Sequence, residues 1–311
     1  MLVIILILTM ILTKIACFNR LIINNNRYRT VVYNIKELLK SPEFDKEPDE
    51  VLISTELLQA EIPSPSFRET IESRQLAVSK VTGLFAITKN KCKHGYPQAF
   101  VQYPIGGGIS SGMIRLSCPH LVKQVDTYEN NGGIEYFNAI LRDNDNEQGK
   151  ILRNNFKDIN LSWQRIRTKA INEKELDLLK KTVGEEKSSN LINSGIIGIT
   201  LNKLDDVKCL HAHIADTLIR GESCNKIGSM ALKKLEENGV DVRGCDNCFQ
   251  QCDLSHIRTD DSYYYLPNKN KQKLRKSRIN RILHKSRVKI AKNMKSKVNN
   301  NISDDDDITT I

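Results

Sequence analysis

Seven of the eight cysteines and five of the six histidines in this 311-residue chain fall between residues 92 and 256. Cys92, Cys118, Cys209, Cys224, Cys245, Cys248 and Cys252 share that stretch with His94, His120, His211, His213 and His256. Outside it stand only Cys17 near the start and His284 near the end. A fold that gathers thiols and imidazoles does so to hold a metal, to form disulfides, to run thiol chemistry, or to bury small apolar thiols in a core. The compartment decides among these.

The surrounding pattern predicts the fold. Val81–Thr88, Gln98–Ile105 and Met113–Cys118 are short apolar or β-branched runs, separated by turn-forming clusters at Gly95–Pro97 and at Gly106–Gly108 with Ser110 and Ser111. They predict a three-stranded antiparallel meander. Helical periodicity then runs from Leu121 to about Leu179, with breaks near Asn130–Gly133 and Asp143–Gln148. Gly195 and Gly198 mark a loop or short strand. A helix is expected to open at Asp205 or Asp206, run to Arg220 and stop at Gly221. Another starts near Ser223 or Asn225 and ends at Gly239. The expectation is an α+β domain over residues 81–256, a small antiparallel three-stranded sheet with several packed helices. The chain is long enough to bury a real core there. No internal repeat is visible, and residues 37–80, with the Pro-Ser cluster of Ile62–Phe67, read as a polar linker holding at most one helix.

Both ends differ from this middle. Leu2–Leu12 is an apolar run of about the length of a signal-peptide core and short of the roughly 20 residues of a membrane span. Residues 1–17 are therefore read as a signal peptide leading into the secretory pathway. The alternative is a secreted protein, or one anchored by residues 2–12. Phe18–Lys36 has no acidic residue, the composition of a transit peptide, and with Phe at the junction the pair suits a bipartite leader for a secondary plastid. At the other end, Lys269–Lys297 carries 13 Lys or Arg and no acid, ahead of Asp304–Asp307, so nearly all of the formal net charge of +10 sits in residues 269–311, within the tail of residues 257–311. That tail reads as disordered. Its cations suit RNA or ribosomal phosphates, or an anionic membrane surface, but no aromatic residue interleaves to stack on bases. The rest of the chain is close to neutral, so charge says nothing about the fold.

Chemistry concentrates in two constellations. In an up-down-up sheet, Cys92 just past the first strand and Cys118 at the end of the third share one rim. Pro119 then suits a first helical position, and a helix start beside Cys118 favours its thiolate. Lys208-Cys209-Leu210-His211-Ala212-His213 is the other anchor. On a helix Cys209, His213 and Asp216 form one stripe, and Leu210, Ile214 and Leu218 the apolar face. Cys209 and His211 reach one ion only if the first turn is distorted. Cys92, Cys118, Cys209 and either His211 or His213 would complete a tetrahedral zinc site. Buried free cysteines, a disulfide or a catalytic thiol are the other readings. Cys245-x-x-Cys248-x-x-x-Cys252-x-x-x-His256 offers a second candidate zinc set, with a redox pair or a purely structural role as alternatives.

On these residues the chain, from roughly Val81 to Asp253, resembles the family of domain of unknown function 501. Cys92, Gly95 and Pro97 match its Cys-x-x-Gly-x-Pro, and Cys118-Pro119 with Leu121 its Cys-Pro. Gly195, Ile196 and Gly198 match its Gly-Ile-x-Gly. Lys208–His211 keeps its Lys-Cys-Leu-His intact, and Asn225 and Gly228 match its Asn-x-x-Gly. Lys226 departs from a frequent Pro, and Asp216 stands where many members carry His. The resemblance implies a thiol- and imidazole-rich domain with no assigned reaction. Three functions follow as expectations: a zinc-binding domain; a thiol enzyme, a hydrolase or transferase using Cys209, His213 and Asp216; or an RNA-associated protein acting through its tail.

Overall fold

A sheet whose strands are apolar on both faces has to be covered on both faces, and that requirement organises this chain. The computed structural model describes residues 49–76, 78, 80–105, 112–198 and 206–255. The expected leader, the Gly106–Gly108 turn, His256 and the basic tail lie outside them. Four strands, β1 (Ala60–Glu61), β2 (Leu84–Thr88), β3 (Ala99–Gln102) and β4 (Ile114–Leu116), pair antiparallel in the order β1-β2-β3-β4. The last three are the expected meander. β1 adds a fourth strand at the edge, through Ala60 opposite Thr88 and Glu61 opposite Ile87. Two residues are too few to show a period-2 pattern.

Along β3, Ala99 and Val101 face the main core while Phe100 faces a smaller cluster with Ile71, Val81, Leu84 and Ile87. β2 breaks this alternation: Phe85 and Ala86 both join the main core. The register shift between Leu84 and Ala86 is the cause, since one extra residue in a strand turns the next side chain to the same face.

The stretch expected to be a linker is folded from Asp49 on. Asp49 caps α1 (Glu50–Glu56) by accepting from the Leu52 N–H at 2.9 Å, and Leu52, Ile53 and Leu57 enter the main core. The Pro-Ser cluster is a helix start: Ser64 accepts from the Phe67 N–H at 3.2 Å, and Pro65 opens α2 (Pro65–Glu69). A π-helical turn, Thr70–Gln75, continues it, and Ile71 covers the second face of the sheet.

Helices α3 (Pro119–Asn130), α4 (Gly133–Arg142), the 24-residue α5 (Glu147–Ala170), α6 (Glu173–Val183) and α7 (Glu185–Ile192) follow β4. The first two breaks fall where turn residues predicted them, and a third, unexpected one at Ile171 and Asn172 separates α5 from α6, where Asn172 caps the new helix. Gly195 has no room for a Cβ, which would lie 2.0 Å from Asn160 Oδ1, and that same oxygen accepts from the Ile196 N–H at 3.0 Å. α8 (Leu210–Arg220) and α9 (Lys226–Glu237) stop and start as expected, at Gly221 (φ 108°) and under an Asn225 cap. A short α10 (Phe249–Cys252) ends the described chain. α8 packs on β3 and β4 and against α9, and is the centre of the molecule. Among the described residues no helix is long and apolar enough to cross a membrane.

Candidate functional site

The start of α8 differs from expectation, and the site lies there. Asp206 does not open the helix. Asn138 holds the neighbouring backbone extended, its Oδ1 accepting from the Val207 N–H at 2.7 Å and its Nδ2 donating to the Val207 carbonyl at 3.3 Å. Cys209, at φ −159° and ψ 117°, is the N-cap residue, and its side chain caps nothing. The capping carboxylate comes from Glu129 in the last turn of α3, whose Oε1 accepts from the Leu210 N–H at 2.6 Å. Its negative charge sits where the exposed N–H groups of a helix start favour one.

The extended backbone of Cys209 is the distortion that lets it and His211 meet. His211 Nδ1 lies 3.7 Å from Cys209 Sγ and 3.2 Å from Glu129 Oε1. One donor atom from each of Glu129, Cys209 and His211 falls within 4.8 Å of the others, the one such set of three among the described residues. On the far side of the ring, His211 Nε2 faces Asp126 Oδ1 at 3.4 Å. Asp126 and Glu129, three residues apart on α3, present both carboxylates to one imidazole.

Burial alone would push the His211 pKa down. The hydrogen bonds and charges of Cys209 and Glu129 outweigh it and hold the ring up at about 10. Burial works the opposite way on Glu129, yet His211 and the backbone N–H groups of Leu210 and His211 leave it below the usual carboxylate range. Without a metal, His211 is therefore an imidazolium at neutral pH.

His213 and Asp216, expected beside Cys209 as base and orienting acid, belong instead to the core. Both are fully buried. Asp216 accepts from Trp163 Nε1 at 2.9 Å, from Arg220 Nε at 2.6 Å and Nη2 at 2.7 Å, and from Asn225 Nδ2 at 2.8 Å. Asn225 also donates to His213 Nδ1 at 3.1 Å, while its Oδ1 takes the Gly228 N–H at 2.9 Å. Burial drives the His213 pKa down to about 4, so the ring is neutral. The residues form a buried polar strut between α8, α9 and α5, with neither His213 nor Asp216 placed to touch a substrate at Cys209.

The expected set of Cys92, Cys118 and Cys209 also divides. Cys118 caps the start of α3 and Glu129 lies in its last turn, eleven residues on, or about 16 Å along a helix axis. Cys92 and Cys118 do share the predicted rim, and burial raises the Cys118 thiol to about 11 despite N–H donation from Leu121 and His120. The favoured thiolate is thus not realised by the helix start alone. Cys92 and Cys118 act electrostatically on Cys248 and Cys252, of the other expected constellation, but no three of these sulfurs lie within 4.8 Å of one another. Cys248 precedes α10 and Cys252 ends it; His256 lies outside the described residues. None of the seven described cysteines is in a disulfide.

Sequence reasoning missed Glu129 and Asp126. Each stands about eighty residues before its partner, on a helix read only for its apolar stripe. Gly228, by contrast, had a visible signal, since a Cβ there would lie 2.1 Å from the His213 carbonyl oxygen, where α8 and α9 touch.

An α+β fold with a four-stranded antiparallel sheet, a central helix and a Cys/His/Glu cluster at that helix's start defines the class. Residues 88–233 match the family described as Protein of unknown function (DUF501). No curated protein and no solved structure matches the chain.

Proposed function

We propose that this is a zinc-binding protein whose ion is held by Glu129 Oε1, Cys209 Sγ and His211 Nδ1, with a fourth position left open. The observation that carries this reading is the convergence of the three donor atoms within 4.8 Å. Carboxylate, thiolate and imidazole are the donors zinc accepts, and three protein ligands with one open position are the pattern of reactive zinc sites. Asp126 opposite Nε2 supports it, because a ligating histidine ordinarily gives its second ring N–H to a carboxylate that fixes the tautomer.

The metal-free alternative, a thiol enzyme using Cys209, His213 and Asp216, loses its expected base and acid, because both are buried in the core and hydrogen-bonded to Asn225, Trp163 and Arg220.

The test is metal analysis of the full chain, purified without added zinc, beside Cys209→Ser and His211→Ala. Each variant is expected to carry one equivalent less than the parent. Equal metal content in parent and both variants would overturn the reading.

A further inference from the structure

Cys245-Asp246-Asn247-Cys248 is the one Cys-x-x-Cys in the chain, and neither cysteine belongs to the Glu129 set. It lies beyond the matched domain of residues 88–233. The four residues form a turn, closed by the Cys248 N–H donating to the Cys245 carbonyl at 3.3 Å. Such a turn brings its first and fourth Cα atoms within about 7 Å, and a disulfide spans about 4.4–6.8 Å between Cα atoms. The backbone alone therefore sets the two cysteines within bridging range, and both are free thiols.

Hydrogen bonds hold this turn without a disulfide. The Cys245 carbonyl takes a second donor, His94 Nε2, at 2.7 Å. Asp246, inside the turn, pairs with Lys93 Nζ at 3.1 Å, and the same ammonium reaches Asp241 at 3.0 Å. The backbone leading into the turn is tied down as well. The Lys93 N–H donates to the Arg243 carbonyl at 3.0 Å, and Gln98 Nε2 to the Val242 carbonyl at 2.7 Å. All these partners stand in the connection from β2 to β3, and none of the bonds uses a sulfur. The turn is thus preformed for both redox states of the pair.

The two sulfurs are unequal. Cys245 is exposed, as are Asp246 and Asn247 beside it. Cys248 is half-buried, and Gly244 covers it so closely, at φ 122°, that a Cβ there would lie 3.0 Å from Cys248 Sγ. Burial, with the neighbouring sulfurs of Cys118 and Cys245 adding to it, pushes the Cys248 thiol up to about 12. Only a thiolate attacks a disulfide, and an incoming molecule meets Cys245 first.

We infer that Cys245 and Cys248 are a redox pair that exchanges with a disulfide of a second molecule, Cys245 attacking and Cys248 resolving. Cys245, having given its proton to solvent, attacks one sulfur of the incoming S–S bond. That bond breaks, and the far sulfur leaves as a thiolate and takes up a proton. Cys248 then loses its proton to solvent, attacks Cys245 Sγ and displaces the remaining sulfur, which is protonated in turn. The pair ends as a disulfide, oxidised by two electrons, and the incoming molecule as two thiols, reduced by two.

The test adds a disulfide to the reduced full chain and maps the products by mass. One arm uses glutathione disulfide, the other an unfolded protein with a single disulfide. The parent is expected to form the Cys245–Cys248 disulfide. Cys248→Ser is expected to stop at a mixed disulfide on Cys245, and Cys245→Ser to form neither product. The faster arm names the source of the disulfide, a small thiol or a protein. Should Cys248→Ser misfold, acid quenching of the parent at early times is expected to catch the same adduct on Cys245. A parent disulfide from Cys248 to Cys118 or Cys252, a first adduct on Cys248 rather than Cys245, a metal ion lost in Cys245→Ser, or a pair still reduced in both arms would overturn the inference.

Discussion

Replacing Asp216 by alanine tests whether that carboxylate is a structural anchor. It leaves the Arg220 guanidinium, 6% exposed, without its counter-charge, and strands the Trp163 and Asn225 donors. Breaking a buried ion pair from one side costs about 3–5 kcal/mol, and an unpaired neutral donor about 1–3 kcal/mol. These costs do not add fully, because alanine leaves room for a water to serve the two neutral donors. The charge decides, and the expected loss is about 5 kcal/mol, a large fraction of a typical domain's stability. With a urea slope of roughly 2 kcal/mol per molar, the midpoint falls by about 2 M or more. Urea unfolding followed by the single tryptophan, which donates to this carboxylate, is the assay, run with chelator so that metal binding does not contribute. Asp216→Ala/Arg220→Ala is expected to be more stable than Asp216→Ala alone, since the second change removes the stranded charge. A single variant within about 1 kcal/mol of the parent, or a double variant less stable than the single, refutes the reasoning.

Asp126→Asn keeps the shape opposite His211 Nε2 but removes the charge, and zinc competition is expected to show affinity about 10–100-fold weaker. In the metal-free protein His211 is raised to about 10 from 6.5, so its contribution to stability is complete below about pH 6.5 and fades as pH rises toward 10. Chemical unfolding across that range is expected to show the decline, and His211→Gln to flatten it. His213, depressed to about 4, acts in the opposite direction. Its contribution is present above about pH 6.5 and lost as pH falls toward 4, so acid melting curves of His213→Gln should be less steep over that window. Gly228→Ala forces α8 and α9 apart at the His213 carbonyl, and thermal denaturation is expected to show a loss of about 1–3 kcal/mol.

Local chemistry was legible in the sequence where it closed on itself. The β2–β4 meander is marked by its own turns, and the end of α8 and start of α9 by Gly221 and Asn225. What escaped needed a partner far along the chain. α8 starts at Leu210 because Glu129 supplies the cap, and no residue near Asp205 announces that. Ser64-Pro65 reads equally as linker or as cap and first turn, and burial of Phe67 and Ile71 against the sheet decides for the helix. Of the expected stripe only His213 and Asp216 lie on α8, since Cys209 is the extended residue before it. A polar stripe ordinarily faces water; here α9 and α5 cover it, Trp163, Arg220 and Asn225 serve Asp216, and His213 Nε2 is left buried without a partner among the described residues, so α8 is buried nearly all round.

Helix α3 explains why thiols expected at one centre lie apart. Cys118 at its start and Glu129 in its last turn are held about 16 Å apart by a rigid rod, so no rotamer change can bring both to one ion. The surroundings then sort the two ends by what each can do. At the start of α3 Cys118 is buried, 4% exposed, and no three of the neighbouring sulfurs come within 4.8 Å of one another. At its other end only three donors converge, and the side chains of His211 and Glu129 remain 20% and 18% exposed, with Asp126 at 41%. A partner molecule can reach the proposed ion there and cannot reach Cys118. Cys118→Ser is therefore expected to leave the zinc affinity of Glu129, Cys209 and His211 unchanged, whereas Cys209→Ser lowers it.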